Sequence, residues 1–137
     1  MLTKYLKKKV RDYCDKAYPV KLDVVQDDRF RPLFNHACHY NADAQVRQGD
    51  AIAIVECLII DKESATLHYV CLRNDLKAFD ATLGPLWAGA EYRLIEVLRS
   101  MPKDDPYERL IAMKRKIAKD AGVPLAIQRL LDRSALL

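Results

Sequence analysis

Apolar residues recur along this chain first at helical spacing, then at strand spacing, then at helical spacing again. Leu2, Leu6, Val10, Tyr13 and Ala17 fall on one face with lysines opposite, which predicts an amphipathic helix over Leu2–Ala17 that Pro19 ends. Val20–Val25, VKLDVV, alternates and predicts a short strand, and the polar QDDRFRP after it is a connection. A second helix is expected from Phe34 to Gln48, with Gly49 as its stop.

The middle of the chain has a different pattern. Ala51–Ile60, AIAIVECLII, is nearly all apolar and rich in β-branched residues, which predicts a central strand buried on both faces. DKES is a turn, and Ala65–Arg73 is a second strand, so the two form a hairpin. Asn74-Asp75 is a further turn, and Leu76–Thr82 predicts a third strand running on toward Gly84-Pro85. EYRLIEVL, Glu91–Leu98, fits a fourth strand or a short helix, with strand the preferred reading.

The last third returns to helical spacing. Asp105 suits an N-cap, Pro106 the first helical position, and Glu108 the reciprocal capping position. Tyr107, Leu110, Ile111, Ile117, Ala118 and Ala121 line one face, and Gly122 ends the helix. A final helix runs from Pro124 to Arg133. The order is helices, an antiparallel meander, then helices. That predicts an α+β fold: a sheet packed on a core helix, with flanking N- and C-terminal helices.

Composition narrows the functional classes. The 137 residues suit one domain, 1–137, long enough to bury a core without disulfide staples. A net charge of +4, partly from Lys7-Lys8-Lys9, is far from a basic stripe, and no interleaved aromatics accompany it. Nucleic acid is therefore not the expected partner. No apolar run approaches the roughly 20 residues of a membrane helix, so no membrane partner is expected. The N-terminus has no long apolar core or small-residue cleavage site, so a cytoplasmic location is expected. Cys14, Cys38, Cys57 and Cys71 then read as reduced thiols. No Cys-x-x-Cys pair or Gly-rich phosphate loop occurs, and no metal or cofactor is expected.

Candidate chemistry centres on FNHACHYNADAQ, Phe34–Gln45. Cys38 lies near the start of the helix that precedes the strands. Partial positive charge and unpaired N–H groups at a helix start stabilise a thiolate, and the same N–H groups can hold an oxyanion. His68 lies mid-strand in the hairpin, and Asp80 lies toward the end of the next strand. Neighbouring antiparallel strands can set a His and an Asp side by side. An imidazole held by a carboxylate can then take the proton of a thiol packed over that sheet edge.

CHYNA (Cys38–Ala42), LHYV (Leu67–Val70) and FDATLG (Phe79–Gly84) together resemble the papain-like and transglutaminase-like cysteine hydrolases. Small proteins of that kind carry Cys-x-x-Asn-Ala on the core helix, then His on a strand, then Asp-x-Thr-Leu after a turn. The resemblance covers Phe34 to Gly84 and implies Cys38 as nucleophile, His68 as base and Asp80 as its orienter. Two features depart from it. Tyr69 and Val70 follow the His where family members often have a small residue and Trp, and no Gln precedes Cys38 at the papain spacing as oxyanion donor. The amides Asn35 and Gln26 are near but differently spaced.

The residues also admit plainer roles. Cys38 can be a small core residue, as Cys57 and Cys71 inside apolar strands are expected to be, and Cys14 a helix residue without function. His68 can be a satisfied sheet histidine, and Asp80 a turn former. His36 and His39 are expected at the surface or rim. A zinc site from His36, Cys38 and His39 needs another ligand, for which His68 is the remaining histidine. Glu56 inside the apolar strand suggests a cleft edge or an Arg partner, Asn41 a buried hydrogen bond fixing the core helix, and Trp87 a cleft wall or core plug. The leading expectation is a cysteine-dependent hydrolase or acyltransferase acting on amide, isopeptide or ester bonds of a protein or peptide substrate. The alternative is a non-catalytic protein-interaction domain, such as a phage or mobile-element accessory protein. Oligomeric state is open.

Overall fold

The computed structural model describes residues 1–26, 37–83, 86, 88–98, 106–131 and 136–137. In chain order these form α1 (Leu2–Ala17), β1 (Val24–Val25), α2 (Cys38–Arg47), β2 (Ala53–Ile60) and β3 (Ala65–Leu72). Then come β4 (Ala78–Phe79), β5 (Glu91–Leu98), α3 (Pro106–Asp120) and α4 (Leu125–Leu130). The fold is α+β, and its strands make one five-stranded sheet in the order β1-β4-β3-β2-β5. The expected Asp105 cap, Asn35, His36 and Trp87 lie outside the described residues. The second helix starts at Cys38 and not at Phe34, since Ala37 is its non-helical N-cap, and the last helix ends at Leu130 and not at Arg133, since the Leu131 backbone is extended.

β2 is buried at all eight positions because it has a strand on each side and a packed layer on each face. Ile54, Leu58, Ile60, Leu67, Tyr69 and Cys71 face Leu6, Val10 and Cys14 of α1, Ala42 of α2, and Leu110, Ile117 and Ala118 of α3. Val55, Cys57, Ile59, Val70, Ala78 and Tyr92 form the layer on the other face. Burying this much apolar surface, at roughly 25 cal/mol per Å², is what holds helices and sheet together. In α1 the buried stripe is Leu6, Val10 and Cys14, so Cys14 is core, while Leu2 and Ala17 are exposed. On α3, Tyr107 is likewise exposed.

β2 and β3 pair antiparallel, as do β3 and β4. The sheet is nonetheless not a simple meander. β5 returns past the hairpin to pair antiparallel with β2, and β1 pairs parallel with β4. The third strand is also much shorter than Leu76–Thr82. Leu76 lies in a turn with φ +64°, closed by an Arg73 N–H bond to the Lys77 carbonyl (2.9 Å), and the Asp75 carboxylate accepts the Lys77 N–H. At the other end, the Asp80 side chain accepts the N–H groups of Thr82 and Leu83, which takes those donors from the ladder and ends the strand.

Both glycine stops act as expected. Gly49 has φ +83°, and the Gly49 and Asp50 N–H groups bond to the Val46 and Gln45 carbonyls. Gly122 has φ +90°, and the Gly122 and Val123 N–H groups bond to the Lys119 and Ala118 carbonyls. Paired bonds of this kind close a helix through one left-handed residue, which glycine adopts without strain. Among the described residues no helix is long and apolar enough to cross a membrane.

Candidate active site

Cys38 is the first residue of α2. Ala37 precedes it as N-cap and supplies no side-chain hydrogen bond, and the first turn holds no acidic residue. The positive end of the helix is therefore not neutralised by its own side chains. One turn on, the Asn41 amide donates to Thr82 Oγ1 at 3.0 Å. That part-buried bond ties the helix that begins at Cys38 to the turn that begins at Asp80, the fixing role expected of Asn41.

β4 pairs with β3 only at Cys71 and Leu72. Among the described residues, the edge of β3 beside His68 and Tyr69 carries no strand partner, and the start of α2 meets it. His68 stands opposite Cys57 in the hairpin and is 4% exposed. Its Nε2 lies 2.8 Å from Asp80 Oδ2, with both side chains 5% exposed. Nδ1 is the ring nitrogen left to serve Cys38. Asp80 Oδ1 accepts the Thr82 and Leu83 N–H groups at 2.8 and 3.1 Å, while Oδ2 also accepts the Tyr92 hydroxyl at 2.6 Å. Asp80 is thus the turn former and the partner of His68 at once, one role for each oxygen.

The electrostatics separate Cys38 from the other thiols. Burial pushes Cys14 and Cys71 up to about 12 and Cys57 well above its ordinary range. Burial opposes ionisation of Cys38 too. There, however, His39, His68 and the Tyr69 backbone N–H outweigh it and bring the thiol from 9.0 down to about 6. For His68, burial favours the neutral ring, but Asp80 and then Cys38 raise it from 6.5 to about 9. Burial likewise opposes the Asp80 charge, yet His68, Tyr92 and the turn N–H groups hold that carboxyl below its ordinary value. Between roughly pH 6 and 9 the arrangement favours a thiolate beside an imidazolium.

The structure brings Cys38, His68 and Asp80 together. His39, expected at the surface or rim, is instead 4% exposed, because α3 lies over the start of α2 and the Tyr107 ring centre comes within 5.9 Å of the His39 ring. Sequence reasoning gave no role to Tyr92, whose contact with Asp80 depends on β5 crossing to the edge of β2. It also missed Lys114 of α3, which burial shifts down and the charge on Cys38 shifts up. Glu56 finds its Arg: it is 0% exposed, bonded twice to Arg109 of α3 at 2.8 Å and by the Tyr69 hydroxyl at 2.9 Å. Cys57 and Cys71 are core, as expected of them. Gln26 is exposed and lies in no regular element. Among the described residues no group of three or more His, Cys, Asp and Glu is placed to hold a metal ion, and His36 lies outside them. Comparison with family models, curated proteins and solved structures finds no match for this chain.

Proposed function

We propose that the protein is a small cysteine hydrolase or acyltransferase of the papain-like and transglutaminase-like kind. It would act on an amide, isopeptide or ester bond of a protein or peptide. The observation that carries this reading is the His68–Asp80 bond of 2.8 Å beside the one thiol shifted toward ionisation. The Cys38 thiolate attacks the carbonyl carbon and the C=O electron pair moves onto oxygen. When C=O re-forms, the amine or alcohol leaves with the proton of the His68 imidazolium. Water, or an acceptor amine, then attacks the thioester and gives its proton to His68. The Cys38 thiolate departs, leaving an acid or a new amide. The four free thiols fit a reducing compartment such as the cytoplasm.

Limiting iodoacetamide at neutral pH is expected to label Cys38 ahead of Cys14, Cys57 and Cys71, and His68→Ala to slow that labelling in a folded protein. Equal labelling of the thiols, or no effect of His68→Ala, would sink the proposal. The pH dependence has a definite sign. Lowering of the thiol makes thiolate available above about 6, and raising of the imidazole keeps its proton below about 9. Alkylation should therefore rise with an apparent midpoint near 6, and turnover should fall again near 9. A single rise near 9, as for an ordinary thiol, contradicts the ion pair.

The near-complete burial of Cys38, His68 and Asp80 favours one second reading, a non-catalytic interaction domain of a phage or mobile element that keeps the arrangement for stability. Cys38→Ala separates the two. Full biological function in that folded variant supports the interaction domain, and loss of function supports the chemistry.

A further inference from the structure

His39 is 4% exposed, and both of its ring nitrogens lack a hydrogen-bond partner. An unsatisfied buried polar atom is costly, so a ring with both nitrogens unpaired calls for a physical reason. The ring sits in the first turn of α2, against Tyr40 at 4.3 Å between ring centres and Tyr107 at 5.9 Å. Toward the ionised Cys38 sulfur its ring N–H acts as a hydrogen-bond donor, which is part of what lowers that thiol, although no bond of ordinary geometry is made. The same turn has no side-chain cap and no acidic residue. A helix start without a cap and a buried imidazole with no hydrogen bond of ordinary geometry thus converge beside the sulfur. The sequence meanwhile has no amide at the papain spacing to act as oxyanion donor.

We propose that His39 is a further catalytic residue, whose ring N–H binds the oxyanion formed when Cys38 attacks a carbonyl. This rests on the hydrolase reading above. In the attack a sulfur–carbon bond forms, and the π electrons of C=O become a lone pair on oxygen. The His39 N–H and the backbone N–H groups of the first turn of α2 then donate to that O⁻. When C=O re-forms and the leaving group takes its proton from His68, the hydrogen bond weakens and His39 keeps its own proton. A neutral imidazole suffices, since one nitrogen carries the hydrogen. The substrate class that follows is an uncharged carbonyl: amide, ester or thioester.

The test compares two reactions of the same sulfur. p-Nitrophenyl acetate acylates through a tetrahedral oxyanion, whereas iodoacetamide alkylates at a saturated carbon and forms none. The ratio of the two rates cancels the thiolate fraction and isolates the oxyanion donor. His39→Phe, which keeps the ring shape without an N–H, is expected to lower that ratio by about a hundred- to a thousand-fold, the usual effect of removing one such donor. His39→Gln, which restores a donor, is expected to recover most of it. If His39→Phe fails to fold by circular dichroism, His39→Met takes its place, since a flexible apolar chain fills irregular space. An unchanged ratio in the folded Phe or Met variant overturns the proposal and leaves His39 a modulator of the thiol. A wild-type protein that alkylates selectively at Cys38 but releases no p-nitrophenolate overturns the hydrolase reading itself.

Discussion

On the hydrolase proposed above, Asp80→Asn is expected to lower acyl-transfer turnover by about ten-thousand-fold, as the equivalent change does in the Ser-His-Asp hydrolases, and to delay alkylation of Cys38 to higher pH. The geometry says why. Asp80 Oδ1 is held by two backbone N–H groups, so an asparagine must keep its carbonyl oxygen there and present its NH₂ where Oδ2 stood. That NH₂ faces His68 Nε2, which now accepts a hydrogen bond instead of donating one. The ring hydrogen moves to Nδ1, toward the thiol, and Cys38 loses its base. The imidazolium also loses the carboxylate that raises it. A turn former alone would tolerate the change within about half a kcal/mol. Here the Tyr92 hydroxyl must also find a new partner in a buried site, and a destabilisation of about 1–3 kcal/mol is expected. Single-turnover acylation, alkylation rate against pH, and thermal melting measure the three effects. Wild-type acylation and alkylation by a folded Asp80→Asn protein would remove Asp80 from the mechanism.

Arg109→Met is expected to have the largest effect on stability. Glu56 sits inside β2 with no exposure, where the pairing with β5 slips at Glu56/Cys57 and sets Glu56 opposite Glu96. Two carboxylates side by side repel, and Arg109 answers both, through two bonds to Glu56 and one of 3.2 Å to Glu96. With Arg109 removed, Glu56 keeps, among the described residues, the Tyr69 hydroxyl. Breaking a buried pair in this way costs about 3–5 kcal/mol, because a charge is left in the core. For a chain of this size that is roughly a 10–20 °C fall in melting temperature. Glu56→Gln should cost less, since Arg109 is 31% exposed and retains Glu96 and water. The double variant Glu56→Met, Arg109→Met should recover much of the loss, as apolar replacements of buried pairs do. A loss below about 1 kcal/mol for Arg109→Met in urea unfolding would show that the buried carboxylate is not held by this pair.

The local pattern carried much of the architecture. Spacing of apolar residues determined the helices of α1 and α3 and the β2–β3 hairpin, because burial of a face leaves its period in the chain, while Glu91–Leu98 was open between strand and short helix until β2 paired with it. Gly49 and Gly122 marked two helix ends, because an L side chain is strained at a positive φ. Cys38, His68 and Asp80 were legible as candidates because helix starts, strands and turns each present a side chain in a known way. Their meeting was implied by the family resemblance and not by the local pattern. It depends on β4 leaving the edge of β3 open at His68, on the Asn41–Thr82 bond, and on Asp80 ending β4 with one oxygen and holding His68 with the other. The short third strand was misjudged because side chains of Asp75 and Asp80 claim backbone donors that hydrophobic alternation does not register. Tyr92, His39, Lys114 and the Glu56–Arg109 pair owe their positions to elements far apart in the chain. Local periodicity determines which face of an element is buried, and only the packed structure decides what that face is buried against.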